Sequence, residues 1–297
     1  MTQALSTTAD PAARLEARLA RFPAREADVG GACVSYRAAL GANDRSSTPI
    51  VLLHGIGSGA ASWVQQLDAL GTKYRVLAWD APGYGASTPV DARSPVAADY
   101  AQRLNGWLDT LGIERCVLVG HSLGAIVAGA WAAASSERVA ALLLVSPAAG
   151  YGTAPEAERV RKRDARLAML AELGPAGLAQ QRGANMLSPS ASEAARAWVR
   201  WNMSRVVPHG YAQATHLLAN ADLAADLQAY AGPIRVAVGA RDAITPPLAC
   251  EAIARAARTP LQIVPDAGHA GYVEAPDAYN ALIDAFVASL EHNGVSQ

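Results

Sequence analysis

The pentapeptide Gly120-His121-Ser122-Leu123-Gly124 is where the sequence first suggests chemistry. An apolar run, Arg115-Cys-Val-Leu-Val119, leads into it, and an Ala-rich stretch, 123–134, leads out. A strand that reverses into a helix within so few residues leaves its serine at the tip of a strained turn. That position is also the positive end of the helix, which favours developing negative charge. A turn with a surface serine is the bland alternative, and the flanking strand and helix argue against it. A serine hydroxyl needs a base. Of the six histidines, His269 follows a late apolar run and belongs to Pro265-Asp-Ala-Gly-His269. The base in turn needs a carboxylate to orient it. Asp242, in Gly239-Ala-Arg-Asp242, follows another apolar run. Asp266 competes for this role but lies only three residues from His269. Asp80 precedes the serine, and its Pro-Gly-Tyr-Gly context reads as a structural turn. The expected triad is Ser122, Asp242 and His269, with acyl transfer as its chemistry.

Acyl transfer also needs donors for the oxyanion. The backbone N–H of Leu123 is expected to be one. The other is expected from the glycine-rich loop His54-Gly-Ile-Gly-Ser-Gly59, at the N–H of Ile56. His54 reads mainly as the residue that holds this loop, and it is also a candidate substrate contact.

These residues need elements to carry them. Residues 11–21 read as an amphipathic helix and 24–40 as a hairpin turning at Gly30-Gly31. Short apolar runs at 49–54, 74–79, 115–119, 141–145, 234–238 and 261–264 read as buried strands. Helix-like stretches at 61–70, 95–111, 123–134, 247–257 and 277–290 separate or follow them. Residues 1–10 read as loose. The alternation predicts an α/β architecture with a mostly parallel sheet covered on both faces. Right-handed crossovers then put every strand C-terminus, and so all three triad residues, on one edge. Residues 148–232 contain no convincing strand. They read as a helical cap inserted into a core made of 1–147 and 233–297.

Bulk composition narrows the partners. The chain has 297 residues, 51% hydrophobic and 17% charged, with a net charge of −1. It can bury a core and a pocket, and nothing in its charge favours nucleic acid or an anionic membrane. Cys33, Cys116 and Cys250 are widely spaced and odd in number, which fits neither a disulfide framework nor a zinc site. The first ten residues lack the pattern of a signal peptide, and no run is long enough to span a membrane. A cytoplasmic protein with no metal and no organic cofactor is expected. The sequence leaves open whether it forms a homo-oligomer.

Taken together, His54-Gly55, Trp79-Asp80-Ala-Pro-Gly-Tyr-Gly-Ala-Ser87, Gly120-His-Ser-Leu-Gly124, Gly239-Ala-Arg-Asp242 and Gly268-His269 resemble the α/β-hydrolase superfamily, in its capped, cofactor-free branch. They span residues 49–286. The resemblance implies an eight-stranded, mostly parallel sheet, and the order Ser, Asp, His is the one stated for that fold. Serine at the elbow argues against haloalkane dehalogenases and epoxide hydrolases, which use Asp there. His121 stands where cofactor-free perhydrolases usually carry Phe. Ala270 after His269, and a loop without a run of glycines, depart from the meta-cleavage C–C hydrolases. The chain looks more like an enol-lactonase of the 3-oxoadipate type, or a carboxylesterase, acting on a small ester or lactone. C–C hydrolysis in aromatic degradation is the alternative, and a non-catalytic binding protein of the same fold is a third reading. Cap residues Trp198, Trp201, Tyr211 and Arg200 are candidate substrate contacts. The cap arginines, which include Arg159, Arg163, Arg166, Arg182, Arg196 and Arg205, mostly read as a solvated face. One pointing inward would bind a substrate carboxylate.

Overall fold

The structure is a computed structural model that describes residues 11–41 and 48–294. The reading of residues 1–10 as loose lies outside that range. Eight strands form one sheet: β1 (Arg25–Val29), β2 (Ala32–Ala39), β3 (Ile50–Leu53), β4 (Val76–Trp79), β5 (Cys116–His121), β6 (Val139–Val145), β7 (Ile234–Gly239) and β8 (Leu261–Val264). Their spatial order is β1-β2-β4-β3-β5-β6-β7-β8. The first hairpin pairs antiparallel within itself and onto β4, and every later pairing is parallel. The expected eight-stranded, mostly parallel α/β sheet is therefore present.

Alternation along each strand divides the core in two. Val51, Leu53, Leu118, Leu142 and Leu144 face one layer, with Tyr100, Leu104 and Trp107 of α3 (Ala97–Thr110) and Ile126 of α4 (Leu123–Ala134). Ile50, Leu52, Val117, Val119 and Leu143 face the other, with Leu67 of α2 (Val64–Leu70) and Ile283 of α11 (Pro276–Gly294). β3, β5 and β6 are buried on both faces, which explains why they read as continuous apolar runs. The amphipathic helix α1 (Pro11–Leu19) buries Leu15 and Leu19 in the second layer.

Between β6 and β7 run α5 (Glu156–Arg182), α6 (Glu193–Met203), α7 (Pro208–Asn220) and α8 (Leu223–Ala229). Local signals set their ends. Ser192 caps α6 by accepting from the Ala195 N–H, and Asp222 caps α8 by accepting from that of Ala225. Leu223 packs against α4 at Gly129, where a side-chain carbon would collide with it at 2.4 Å. The remaining helices are α9 (Pro247–Ala256) and the short α10 (Gly271–Glu274). Among the described residues no helix is long and apolar enough to cross a membrane.

Candidate active site

Ser122 sits between the end of β5 and the start of α4 with φ 53° and ψ −113°. A non-glycine residue with positive φ stores strain, which the surrounding structure must over-determine. The two flanking glycines show how. A side-chain carbon at Gly124 would lie 2.3 Å from the Leu53 carbonyl oxygen, and one at Gly120 would lie 2.6 Å from that of Gly124. Only without those carbons can α4 start hard against β3. The Ser122 N–H is then fixed by the Val145 carbonyl at 3.1 Å.

His269 and Asp242 are brought together across 27 residues of chain. The His269 Nδ1 lies 2.9 Å from Asp242 Oδ2, and both side chains are buried, at 1% and 0% exposure. Asp242 Oδ1 accepts from the backbone N–H groups of Ile244 and Thr245, at 2.8 and 2.9 Å. Oδ2 also accepts from the Thr245 hydroxyl, at 2.9 Å. Burial by itself would raise the Asp242 pKa. The His269 bond and the Thr245 and Ile244 amides outweigh it and hold the carboxyl below its ordinary value. An ionised carboxylate only accepts, so Nδ1 carries a proton, and in the neutral ring the lone pair is on Nε2.

The rest of the site is locked by similar accounting. The Ala81 N–H donates to His54 Nε2 at 3.0 Å, so the His54 proton is on Nδ1, which donates to the Gly55 carbonyl at 2.8 Å. The Ser58 N–H holds the same carbonyl. Because the peptide is planar and trans, pinning the Gly55 carbonyl turns the Ile56 N–H the opposite way. Tyr84 steadies the next peptide by donating to the Ile56 carbonyl at 2.7 Å. Among the described residues neither the Ile56 nor the Leu123 N–H has an acceptor. His121 donates from Nε2 to the His269 carbonyl at 2.9 Å, and burial, then His269, push its pKa down to about 3. Glu274 of α10 accepts from the N–H groups of Gly268 and Ser188, and from the Ser188 hydroxyl. It thereby ties the His269 loop to the segment before α6.

Ser122, His269, Ile56 and Leu123 all line one cleft, which holds about 880 Å³ counted with its mouth. Its opposite wall comes from α5, α6 and α7 and includes Arg166, Arg182, Val199, Met203 and Tyr211. Four expected contacts lie elsewhere. Trp198 is fully buried in the core and stacks on Trp201, with ring centroids 4.5 Å apart. Arg200 pairs with Glu193 at 2.6 Å. The cleft face of α6 carries Val199, Asn202 and Met203, related by the i, i+3, i+4 rule, and 198, 200 and 201 point off that stripe. His54 has both ring nitrogens committed to backbone and is absent from the lining. Tyr211 lines the cleft. Asp80 is structural, accepting from the Ala60 N–H and the Ser35 hydroxyl, and Asp266 is an exposed turn residue with φ 55°. All three cysteines are unpaired, and burial pushes Cys116 and Cys250 up to about 12.

Residues 50–282 match the alpha/beta hydrolase family. The chain belongs to that family. This α/β hydrolase is 31% identical over 260 residues to the putative carbamate hydrolase RutD of Variovorax paradoxus, an alignment covering 83% of this chain and 94% of that one. A thermophilic esterase from Thermogutta terrifontis superposes with a TM-score of 0.79 at 25% identity, covering 90% of this chain and 99% of its own. The enol-lactonase from Burkholderia xenovorans LB400 shares the fold, with a TM-score of 0.78 at 24% identity over 89% of this chain and all of its own. Matches to (Lyso)-N-acylphosphatidylethanolamine lipases are partial. This α/β hydrolase spans 31% of the Bos taurus protein and 38% of the Mus musculus one.

The sequence did not single out Thr245, Tyr84 or Glu274. Thr245 lies three residues beyond Asp242, where a hydroxyl can reach back to a carboxylate, and that spacing was a usable signal. Glu274 had none, because its partners come from two other segments.

Proposed function

We propose that this α/β hydrolase is a serine hydrolase that cleaves a small carboxylic ester or lactone through an acyl-enzyme on Ser122. The observation that carries the proposal is the buried Asp242–His269 pair, whose tautomer leaves Nε2 unprotonated in the cleft that holds Ser122. In this reading Nε2 takes the Ser122 proton as Oγ attacks the carbonyl carbon. The oxyanion is held by the unpartnered N–H groups of Leu123 and Ile56. The imidazolium, steadied by Asp242, protonates the leaving alkoxide as the C–O bond breaks. Water, deprotonated by the same nitrogen, then releases the acid. When the substrate is a lactone, the alcohol stays tethered to the acyl group. Residues 148–232 act as a cap whose α5–α7 wall shapes the substrate side of the cleft, on a core of 1–147 and 233–297. The similarity to a protein named as an esterase and to one named as a putative carbamate hydrolase supports this chemistry.

The test is hydrolysis of p-nitrophenyl acetate and butyrate by wild type and Ser122→Ala, with an enol-lactone and a vinylogous diketone acid in parallel. Loss of the serine is expected to lower kcat by about 10⁶. Turnover confined to the diketone acid would move the reading to C–C hydrolysis. Turnover that survives Ser122→Ala, or a Ser122 inert to a serine-reactive phosphonate, would refute the acyl-enzyme.

A further inference from the structure

The cleft that Ser122 lines also carries two arginines from either side of a break in one helix. Within α5, Gly174 has φ 60° and ψ 179°, and Pro175 follows it. Proline removes an N–H, and the residue before it is driven out of the helical region, here into a conformation that glycine tolerates. In a straight helix Arg166 and Arg182 would stand about 24 Å apart along the axis. The break turns the second half back, and both side chains line the same cleft.

Neither cation has an acidic partner. Arg166 donates to the Tyr211 hydroxyl at 3.2 Å, and Arg182 contacts the Met169 sulfur at 3.8 Å. No carboxylate among the described residues pairs with either. Arg159 and Arg161 of the insertion also lack a carboxylate partner among the described residues but do not line the cleft, Arg196 donates to the Ser188 and Pro189 carbonyls, and the other basic side chains have partners. Arg163 pairs with Asp164, Lys162 with Glu158 and Arg200 with Glu193, while Arg205 lies over the Trp201 ring. Arg182 is partly buried, and burial first, then the nearby Arg166 charge, lower its pKa. Two uncompensated like charges in a half-dry cleft are costly, and an anion relieves that cost. Each guanidinium offers a planar fork suited to a carboxylate. Much of the remaining wall, including Met186, Val199, Met203 and Leu218, is apolar, which favours a singly charged group over a phosphate dianion.

We infer that Arg166 and Arg182, with Tyr211 orienting the former, form an anion subsite that selects esters or lactones carrying a carboxylate remote from the scissile bond. The inference rests on the serine-hydrolase reading and adds the substrate class to it. The carboxylate does not react. It anchors one end of the substrate while the carbonyl is held at Ser122.

The experiment compares kcat/KM for matched pairs of esters. Mono-p-nitrophenyl glutarate against p-nitrophenyl valerate places the carboxylate in the acyl part. 4-Acetoxybenzoate against phenyl acetate places it in the alcohol part. Wild type is expected to favour the anionic member of one pair by at least about tenfold at low salt, through KM, and added salt should shrink the preference. Arg166→Gln and Arg182→Gln should each reduce that ratio by about 10- to 100-fold, the range for losing a hydrogen bond to a charged group. Lys at either position should restore part of it, and Arg200→Gln should leave it unchanged. A wild-type ratio near one in both pairs, or Gln variants that keep the wild-type ratio, overturns the inference while Ser122-dependent turnover of the neutral esters keeps the parent reading intact. Calorimetric binding of glutarate to Ser122→Ala gives a readout without turnover. Binding weakened at least tenfold by both Gln substitutions supports the subsite even if the ester reading fails, and binding that neither changes, or no binding, overturns it.

Discussion

Asp242→Asn is a substitution whose consequence follows from counting hydrogen bonds. Position Oδ1 faces two backbone donors, Ile244 and Thr245, so the Asn carbonyl must stay there. The amide nitrogen then occupies the Oδ2 position, facing the Thr245 hydroxyl and His269 Nδ1. Thr245 can turn its proton to the Ser146 carbonyl, 3.1 Å away, and accept from the new amide. The second amide hydrogen points at Nδ1, which must now be the acceptor. The imidazole proton moves to Nε2, and the lone pair that would take the Ser122 proton is gone. A wrong tautomer of this kind costs about 10⁴ in kcat, or about 5 kcal/mol of barrier. KM should change little, and the fold should hold because every local donor keeps a partner. Asp242→Ala supplies the control. It abandons two buried amides, each worth about 1–3 kcal/mol when left unsatisfied, so it should lose more stability than the Asn variant. The assay is kcat and KM for p-nitrophenyl butyrate beside the urea midpoint of each variant. An Asn variant within tenfold of wild-type kcat, or less stable than the Ala variant, would refute the tautomer argument.

Two further outcomes follow from the same contacts. At Gly55 an added carbon would sit 3.0 Å from both the His121 ring and Ser122 Cβ, whereas at Gly57 it would meet mainly the movable end of Met203 at 2.9 Å. Gly55→Ala should therefore lower kcat at least about tenfold by shifting Ser122, and Gly57→Ala should lower it far less; equal losses would mean that the elbow is not locked from this side. His54 and His121 are held neutral by burial, His121 down to about pH 3. Their folded pKa values lie below the unfolded value of about 6.5, so their contribution is full above that pH and is lost as pH falls, for His121 by about 1.4 kcal/mol per pH unit between about pH 6 and 4. Asp226, raised to about 6 by burial, acts in the opposite sense between about pH 4 and 6. The difference in urea-derived stability between His121→Gln and wild type removes that shared background, and it should narrow with that slope as pH drops from 6 to 4. A pH-independent difference would show that His121 is protonated in the folded protein.

The residues of the reaction side were legible because their signals are local. A strand-to-helix turn around Ser122 demands glycine on both sides wherever it occurs, and Gly120 and Gly124 supply it. Strands buried on both faces must be short and wholly apolar, so the sheet and its C-terminal edge could be read from β3, β5 and β6. Once that edge is known, Asp242 and His269, which follow β7 and β8, fall on the same edge as Ser122. The substrate side was not legible in the same way. Trp198, Trp201 and Arg200 looked as suitable as Val199 and Met203, because composition does not say how a helix is rotated about its axis. That rotation is set by the packing of α6 against neighbouring elements, which draws Trp198 into the core. Gly174-Pro175 announces a break but not its direction, and the direction alone decides that Arg166 and Arg182 share a cleft. Local backbone chemistry thus made the turn at Ser122 and the sheet edge readable from the sequence, while the α5–α7 lining of the cleft depends on rigid-body packing of helices, which only the assembled tertiary structure specifies.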